Sequence, residues 1–212
     1  MDTARRAKKI LAILKKTYLD ATCALHSKNP LELLVATVLA AQCTDERVNQ
    51  VTPNLFRKYK TAADYARTDL KILEREIHST GFYRQKARSI KGIGQALVEN
   101  YGGRVPKNME ELVSLRGVGR KTANVVLGNC FGVPGIVVDT HVRRLAFRMG
   151  LTQATDPDKI EQDLMKLFQK SEWTKASHCI TFHGRQICKA MKPTCGVCPI
   201  ESLCPRAGLI WA

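Results

Sequence analysis

The sequence predicts an all-α protein, because helix signals recur along the whole chain while strand signals barely appear. Asn29-Pro30 and Asp156-Pro157 each place a capping side chain and a first-turn proline before an apolar pattern with helical spacing. Gly102 and Gly150 stand where helices are expected to end. The one β-like run, Ile136-Val137-Val138, is too short and isolated to form a sheet. We therefore interpret that run as a connector in a protein of about ten short helices.

Further helix starts are expected at Thr44, Thr68 and Asn108, and Asn108 has Glu111 three residues on, as in a capping box. Residues 83–100 form one continuous amphipathic pattern, which indicates a single long helix.

The chain of 212 residues suits one large domain or two small ones, since domains usually contain roughly 100–200 residues. The connector at residues 136–138 is the expected boundary. We expect a central helical domain at residues 24–132 and a discontinuous helical domain made of residues 1–23 plus 133–212.

The charge balance points to a polyanionic partner. The chain carries 34 Lys and Arg against 19 Asp and Glu, a formal net charge of +15. Charge alone does not separate nucleic acid from an anionic membrane. The longest apolar run, at residues 33–41, is about half of the roughly 20 residues that a spanning helix needs. Lys15 and Lys16 interrupt the first apolar stretch, so we expect neither a signal peptide nor a membrane partner.

The eight cysteines divide into two groups. Four are scattered among apolar or small neighbours, where a free cysteine usually acts as a small buried hydrophobe: Cys23, Cys43, Cys130 and Cys179. The other four follow one another near the C-terminus in the spacing Cys188-x6-Cys195-x2-Cys198-x5-Cys204. Four thiolates this close are typical of a metal site, and the spacing alone leaves zinc and an iron-sulfur cluster open. We expect a reducing compartment.

Residues 112–127 read as an apolar helix, a glycine-bracketed turn and a second apolar helix, which predicts a helix-hairpin-helix. Gly117 and Gly119 are expected to give the turn unusual backbone conformations and to let a DNA phosphate approach closely. An ordinary corner between two helices is the alternative interpretation. Lys121 follows in the first turn of the second helix beside Arg120, where the helix start and the neighbouring cation both disfavour an ammonium. A partly neutral amine suits Schiff-base chemistry, whereas a charged one suits phosphate binding.

Two motifs carry a resemblance to a known family. Leu115-Arg116-Gly117-Val118-Gly119-Arg120-Lys121-Thr122-Ala123 and Val138-Asp139-Thr140-His141-Val142 resemble endonuclease III, a family of bifunctional DNA glycosylases. The resemblance runs from residues 39–45 through the cysteine cluster. It implies a two-lobed helix-hairpin-helix DNA glycosylase fold in which the four clustered cysteines hold a 4Fe-4S cluster that orders a C-terminal loop.

The resemblance also implies roles for the two motifs. Lys121 would attack the sugar C1′, and Asp139 would assist. From the residues alone, Asp139 is expected to cap the helix that starts near His141, and an ionised carboxylate there could also stabilise oxocarbenium character. His141 is expected to make only a local hydrogen bond.

Other positions are expected to contact DNA. By resemblance, Gln42 is inserted into the duplex, and Phe82 stands where the family usually has a wedge leucine, although Phe82 could instead anchor the core. Arg116 replaces the usual proline of the hairpin. The remaining expected contacts are the hairpin residues Gly117, Val118, Gly119 and Arg120, and the cluster-loop residues Lys189 and Lys192.

The sequence thus predicts a monomeric base excision repair enzyme of the cytoplasm, associated with the nucleoid. By resemblance, its expected partner is double-stranded DNA with damaged bases or abasic sites, from which it would excise oxidised pyrimidines and then cleave the strand by β-elimination. Two alternatives remain open. One is a monofunctional mismatch glycosylase of the same superfamily, although Lys121 and the lack of a long C-terminal extension argue against its adenine-removing branch. The other is a non-enzymatic DNA-binding iron-sulfur redox regulator. Retained DNA binding without strand cleavage would favour the regulator.

Overall fold

The computed structural model describes residues 1–209, and within that range it contains eleven α-helices and no strand. The helices are α1 (Thr3–Thr17), α2 (Pro30–Leu39), α3 (Asp45–Lys58), α4 (Ala62–Arg67), α5 (Leu70–Glu76), α6 (Tyr83–Tyr101), α7 (Met109–Ser114), α8 (Arg120–Cys130), α9 (Thr140–Arg148), α10 (Pro157–Leu167) and α11 (Trp173–Gln186). Short 3₁₀ segments cover His78–Thr80, Lys170–Glu172, Cys195–Val197 and Glu201–Leu203. The predicted all-α fold is confirmed, and none of the described helices is both long and apolar enough to cross a membrane.

Most helix boundaries follow the capping side chains. Asn29 and Asp156 accept hydrogen bonds from the first turns of α2 and α10, and each is followed by a proline at the helix start. Gly102 ends α6 in a left-handed conformation with φ 57°. Thr68 was expected to begin a helix, but it ends α4. Asp69 caps α5 instead, because its carboxylate accepts from two backbone N–H groups, those of Lys71 and Ile72.

The chain divides into two compact units. We call residues 23–133 the central unit and residues 1–22 plus 134–212 the split unit. In the central unit, α2 is buried on nearly every side and packs against α3, α6 and α8. A Cβ on Gly94 of α6 would lie 2.7 Å from the carbonyl oxygen of Ala62, so only glycine lets α4 and α6 approach this closely.

The split unit has its own core, in which the first helix is held by elements from the other end of the chain. α1 buries Ala7, Ile10, Leu11 and Leu14, and it packs against α10 and α11. α9 packs on α10 and α11. The connector predicted at residues 136–138 has no regular secondary structure and is fixed by the Ser177 hydroxyl, which accepts from the Val137 N–H at 2.9 Å.

Candidate nucleic-acid interface and active site

The predicted hairpin is present in the central unit. Helix α7 ends at Ser114, the turn runs over residues 115–119, and α8 begins at Arg120. Leu115 and Val118 are buried and anchor the turn, and the Val118 N–H donates to the carbonyl oxygen of Leu115 at 3.0 Å. The apolar face of α8 is buried through Ala123, Val126 and Leu127. The exposed residues of the turn are therefore held on a rigid base.

The two hairpin glycines serve different purposes. Gly117 has φ 78°, and a Cβ there would lie 2.6 Å from the Ser89 hydroxyl oxygen, so both backbone and space require glycine. Gly119 was expected to adopt a conformation closed to other residues, but its φ is −96°, which any residue can take. A Cβ on Gly119 would meet nothing within 4 Å, and no side chain caps the start of α8. Gly119 thus leaves open space in front of a helix N-terminus.

The basic residues of the hairpin face solvent. Arg116, Arg120 and Lys121 are all exposed, and Lys121 lies in the first turn of α8. The stem of Arg116 lies against α6, where its Cδ would be 3.4 Å from a Cβ on Gly92. Three cationic side chains thus follow one another around a turn that leaves room for a phosphate.

Gln42 and Phe82 also belong to the central unit, and they share an unusual backbone. Their φ angles are 52° and 47°, in the left-handed region that side chains other than glycine rarely adopt. Both residues are exposed, and 60% of the surface of Phe82 is accessible. The interpretation of Phe82 as a core anchor is therefore wrong. Tyr83 packs against the core instead, with its ring centroid 4.4 Å from that of His78.

Asp139 belongs to the split unit and caps α9, as its position predicted. One carboxylate oxygen accepts from the Val142 N–H at 2.7 Å. The other accepts from the Thr181 hydroxyl on α11 at 3.2 Å. Both oxygens are thus oriented, while the side chain remains partly exposed.

Two histidines near Asp139 are held neutral. Burial lowers the pKa of His178 to about 4, with a further contribution from Lys175, and Asp139 only partly opposes this. Burial likewise lowers the pKa of His141, whose Nδ1 lies 3.3 Å from Arg144 Nη2, a local contact of the expected kind. Neither histidine therefore supplies a positive charge beside Asp139.

The four clustered cysteines line one cavity of the split unit. Its wall includes Cys188, Cys195, Cys198 and Cys204. Burial raises the pKa of the Cys198 and Cys204 thiols, and the neighbouring thiols add to both shifts. Burial thus opposes ionisation of Cys198 and Cys204 unless a positive charge compensates it. Within residues 1–209, no three or more His, Cys, Asp or Glu side chains are grouped so that they could hold one single metal ion.

Polar groups surround the sulfur atoms. Arg148 Nη1 donates to Cys188 Sγ at 3.5 Å, and the Arg148 carbonyl oxygen lies 3.4 Å from Cys204 Sγ. His183 is buried, with Nε2 at 3.4 Å from Cys198 Sγ and Nδ1 at 2.9 Å from the Tyr18 hydroxyl oxygen. Burial lowers the pKa of His183 to about 4, so its imidazole is neutral. These contacts join the cysteine cavity to α9, to α11 and to Tyr18, which directly follows α1.

The loop that carries the predicted phosphate contacts is also fixed by α9. Arg148 donates to the carbonyl oxygens of Lys189 and Ala190, each at 2.8 Å. Lys189 and Lys192 are both exposed.

Of the four scattered cysteines, Cys179 is buried and the other three are partly buried beside the core of the central unit.

Known proteins of one family are similar to this chain. A model of the HhH-GPD superfamily of base excision DNA repair proteins matches residues 35–170. Endonuclease III of Synechocystis sp. is 55% identical over 204 residues, which cover 96% of this chain and 93% of the relative. The chain belongs to the endonuclease III family. Endonuclease III of Bacillus subtilis is 48% identical over 185 residues, covering 87% of this chain and 84% of that protein.

Solved endonuclease III structures match the whole fold. A trapped endonuclease III–DNA covalent intermediate aligns with a TM-score of 0.93 and 46% identity, and the match covers 97% of each chain. A non-covalent endonuclease III–DNA complex gives the same values. A thermostable thymine-DNA glycosylase, 22% identical, shares the fold with a TM-score of 0.87. The resemblance and the helix-hairpin-helix glycosylase fold predicted from the sequence are both confirmed.

Proposed function

We propose that this protein is a bifunctional DNA glycosylase that excises oxidised pyrimidines and then cleaves the abasic strand through Lys121. The main support for this proposal is an exposed lysine in the first turn of α8. It directly follows a glycine hairpin in the sequence of a member of the endonuclease III family. A phosphate seated at the hairpin would bring the sugar–phosphate backbone to the lysine. The relatives solved with DNA, one of them as a trapped covalent intermediate, support duplex DNA as the partner.

In the proposed reaction the Lys121 amine attacks C1′ of the damaged nucleotide as the bond from C1′ to the base breaks. The base leaves with the bonding electron pair and takes up a proton, and the sugar ring opens to an imine on Lys121. Loss of a proton from C2′ then expels the 3′ phosphate, which breaks the strand. The role of Asp139 is to stabilise positive charge on the sugar or to accept a proton from the amine.

Base removal requires the damaged nucleotide to leave the stack, so the protein must fill the gap. We assign that role to Gln42 and Phe82, which are exposed and project from strained backbone. The hairpin residues 116–120 and the loop residues Lys189 and Lys192 would contact phosphates, consistent with the net charge of +15. We propose that the enzyme acts as a monomer at the bacterial nucleoid.

The function is tested with a panel of duplexes that contain an oxidised pyrimidine, an abasic site or no damage. We expect strand cleavage and a borohydride-trapped covalent complex with the first two and neither with the third, because only an imine is reduced to a stable bond. Base release without cleavage or trapping would indicate the monofunctional glycosylase. Binding of damaged duplex with neither reaction would indicate the non-enzymatic regulator.

We also propose that the four cavity thiols hold a 4Fe-4S cluster. Soft thiolates are the ligands such a cluster takes, and Arg148 Nη1 donates to the sulfur of Cys188 at 3.5 Å. When bound, the cluster would supply the positive centre that the buried thiolates need and order the loop that carries Lys189 and Lys192. The cluster belongs to the proposed discontinuous domain of residues 1–23 plus 133–212, and the hairpin to the proposed domain of residues 24–132.

The cluster is tested by metal and sulfide analysis of protein purified without added metal. We expect about four iron and four sulfide atoms per chain, as a cubane cluster contains. Cys198→Ser should lower the iron content, the melting temperature and the DNA affinity together, because ligation and local order are coupled. Cys130→Ser is the matched control, since Cys130 lies in α8 of the central unit, and it should keep all three values. Zinc in place of iron would contradict the proposal.

A further inference from the structure

Lys86 is a buried lysine whose ammonium joins two separate segments of the central unit. It lies in the first turn of α6 and is 4% exposed. Its Nζ donates to the carbonyl oxygen of Leu39 at 2.7 Å and to that of Thr80 at 2.7 Å. We call this pair of hydrogen bonds the Lys86 bridge.

Each end of the bridge lies just before one of the proposed DNA-inserting residues. Leu39 is the last residue of α2 and precedes Gln42 by three residues. Thr80 ends the 3₁₀ segment and precedes Phe82 by two residues. Gln42 and Phe82 both have positive φ, and strained backbone of this kind persists only where its surroundings determine it. One ammonium therefore connects the residues that directly precede two strained, exposed turns.

Burial of the Lys86 ammonium carries a desolvation cost that an apolar side chain at the same core position would not have. An ammonium loses its hydration when buried, and burial accordingly lowers the pKa of Lys86. Its two hydrogen-bond acceptors are neutral carbonyls rather than carboxylates. An apolar side chain of the same length would avoid the desolvation cost, but it could not fix the positions of two carbonyl groups.

We propose that Lys86 is a positioning residue that holds the Gln42 and Phe82 turns together as one preformed unit for insertion into the DNA duplex. The inference rests on the proposed function, since it assigns Lys86 to the step in which the gap left by the extruded nucleotide is filled. It predicts that Lys86 matters for duplex DNA, where such a gap exists, and not for single-stranded DNA, where the nucleotide is already unstacked.

The test compares Lys86→Met with Lys91→Met under single-turnover conditions. Lys91 is a matched control, because it lies on the same helix and its Nζ also donates to a backbone carbonyl, that of Thr68 at 2.7 Å. Each variant is given an abasic site in duplex DNA and in a single strand. We expect Lys86→Met to slow duplex cleavage by about 10-fold or more, since misplacing a positioning group by roughly 1 Å can cost on the order of 100-fold. Single-strand cleavage should change less than about twofold, and Lys91→Met should alter neither rate.

The comparison separates positioning from simple loss of folding. A smaller folded fraction would lower the duplex and single-strand rates equally, so an unchanged ratio of the two rates would overturn the inference. Lys86→Met is also measured in a Gln42→Ala/Phe82→Ala background, where its effect on duplex cleavage should largely disappear because all three residues act in one step. An effect of full size in that background would likewise overturn it. If wild-type protein cleaves neither substrate, the proposed function fails rather than the role of Lys86.

Discussion

Replacing Lys121 by glutamine should abolish the borohydride-trapped complex with abasic duplex DNA. The imine needs a primary amine, which glutamine lacks, and loss of a covalent nucleophile can lower a rate by on the order of 10⁶. Because Lys121 is exposed and the buried face of α8 is untouched, the variant should unfold at the wild-type temperature. The measurement is the yield of trapped complex after gel separation. Lys71→Gln, at an exposed lysine of α5 in the same unit, should trap at the wild-type level.

The same experiment can identify a different nucleophile. If Lys121→Gln traps DNA as well as the wild type does, another amine forms the imine, and the central assignment fails. If the variant loses trapping and also loses affinity for abasic duplex, the lysine would be needed for phosphate binding as well. In that case the difference in affinity between the variant and the wild type should shrink as the salt concentration rises. Each neutralised phosphate contributes about 0.9 to the slope of log affinity against log salt concentration.

Replacing Asp139 by asparagine should slow base removal by about 10²–10⁴-fold, the range that positioned proton transfer typically contributes. Asparagine caps helices as well as aspartate does, and its amide oxygen can keep either the Val142 N–H or the Thr181 hydroxyl as a donor. What the variant loses is the negative charge. Melting temperature and affinity for damaged duplex should therefore remain near wild type while single-turnover base release falls.

Asp156→Asn is the matched control for that loss of charge. Asp156 caps α10 of the same unit by accepting from the Lys159 N–H, and it is exposed. It should tolerate asparagine with no change in base release, since no catalytic role is assigned to it. A wild-type rate for Asp139→Asn would reduce Asp139 to a helix cap. A large drop in its melting temperature would show instead that the carboxylate is required for folding.

Local signals allowed most of the fold to be predicted. Capping depends on a side chain and the three backbone groups that follow it, which is why Asn29, Asp139 and Asp156 were recognised from sequence alone. Thr68 and Asp69 show the limit of such signals, because adjacent residues both suit a helix start and only the surrounding structure selects one. Gly119 was likewise predicted to have an unusual backbone conformation, but of the two hairpin glycines only Gly117 has a positive φ.

The partners of the site residues were not predictable, because they depend on tertiary packing. Thr181 contacts Asp139 across 42 positions of sequence, and Lys86 reaches Leu39 across 47. Neither residue lies in a motif or has a distinctive neighbour. Arg148 was missed for the same reason, since its contacts with the cluster loop span about 40 residues. Positive charge in the sequence indicated a polyanionic partner, but it did not indicate which cations are structural.

The discontinuity of the split unit has a consequence for the order in which a newly made chain can fold. Helix α1 leaves the ribosome before the central unit, but its partners α10 and α11 follow only after the complete central unit. At 5–20 residues per second, synthesis of the intervening residues 23–133 takes roughly 6–20 s. During that interval the apolar face of α1 has no native partner, and charged residues such as Arg5, Lys8 and Lys9 help to keep it in solution. The central unit can therefore fold during translation, whereas the split unit folds last.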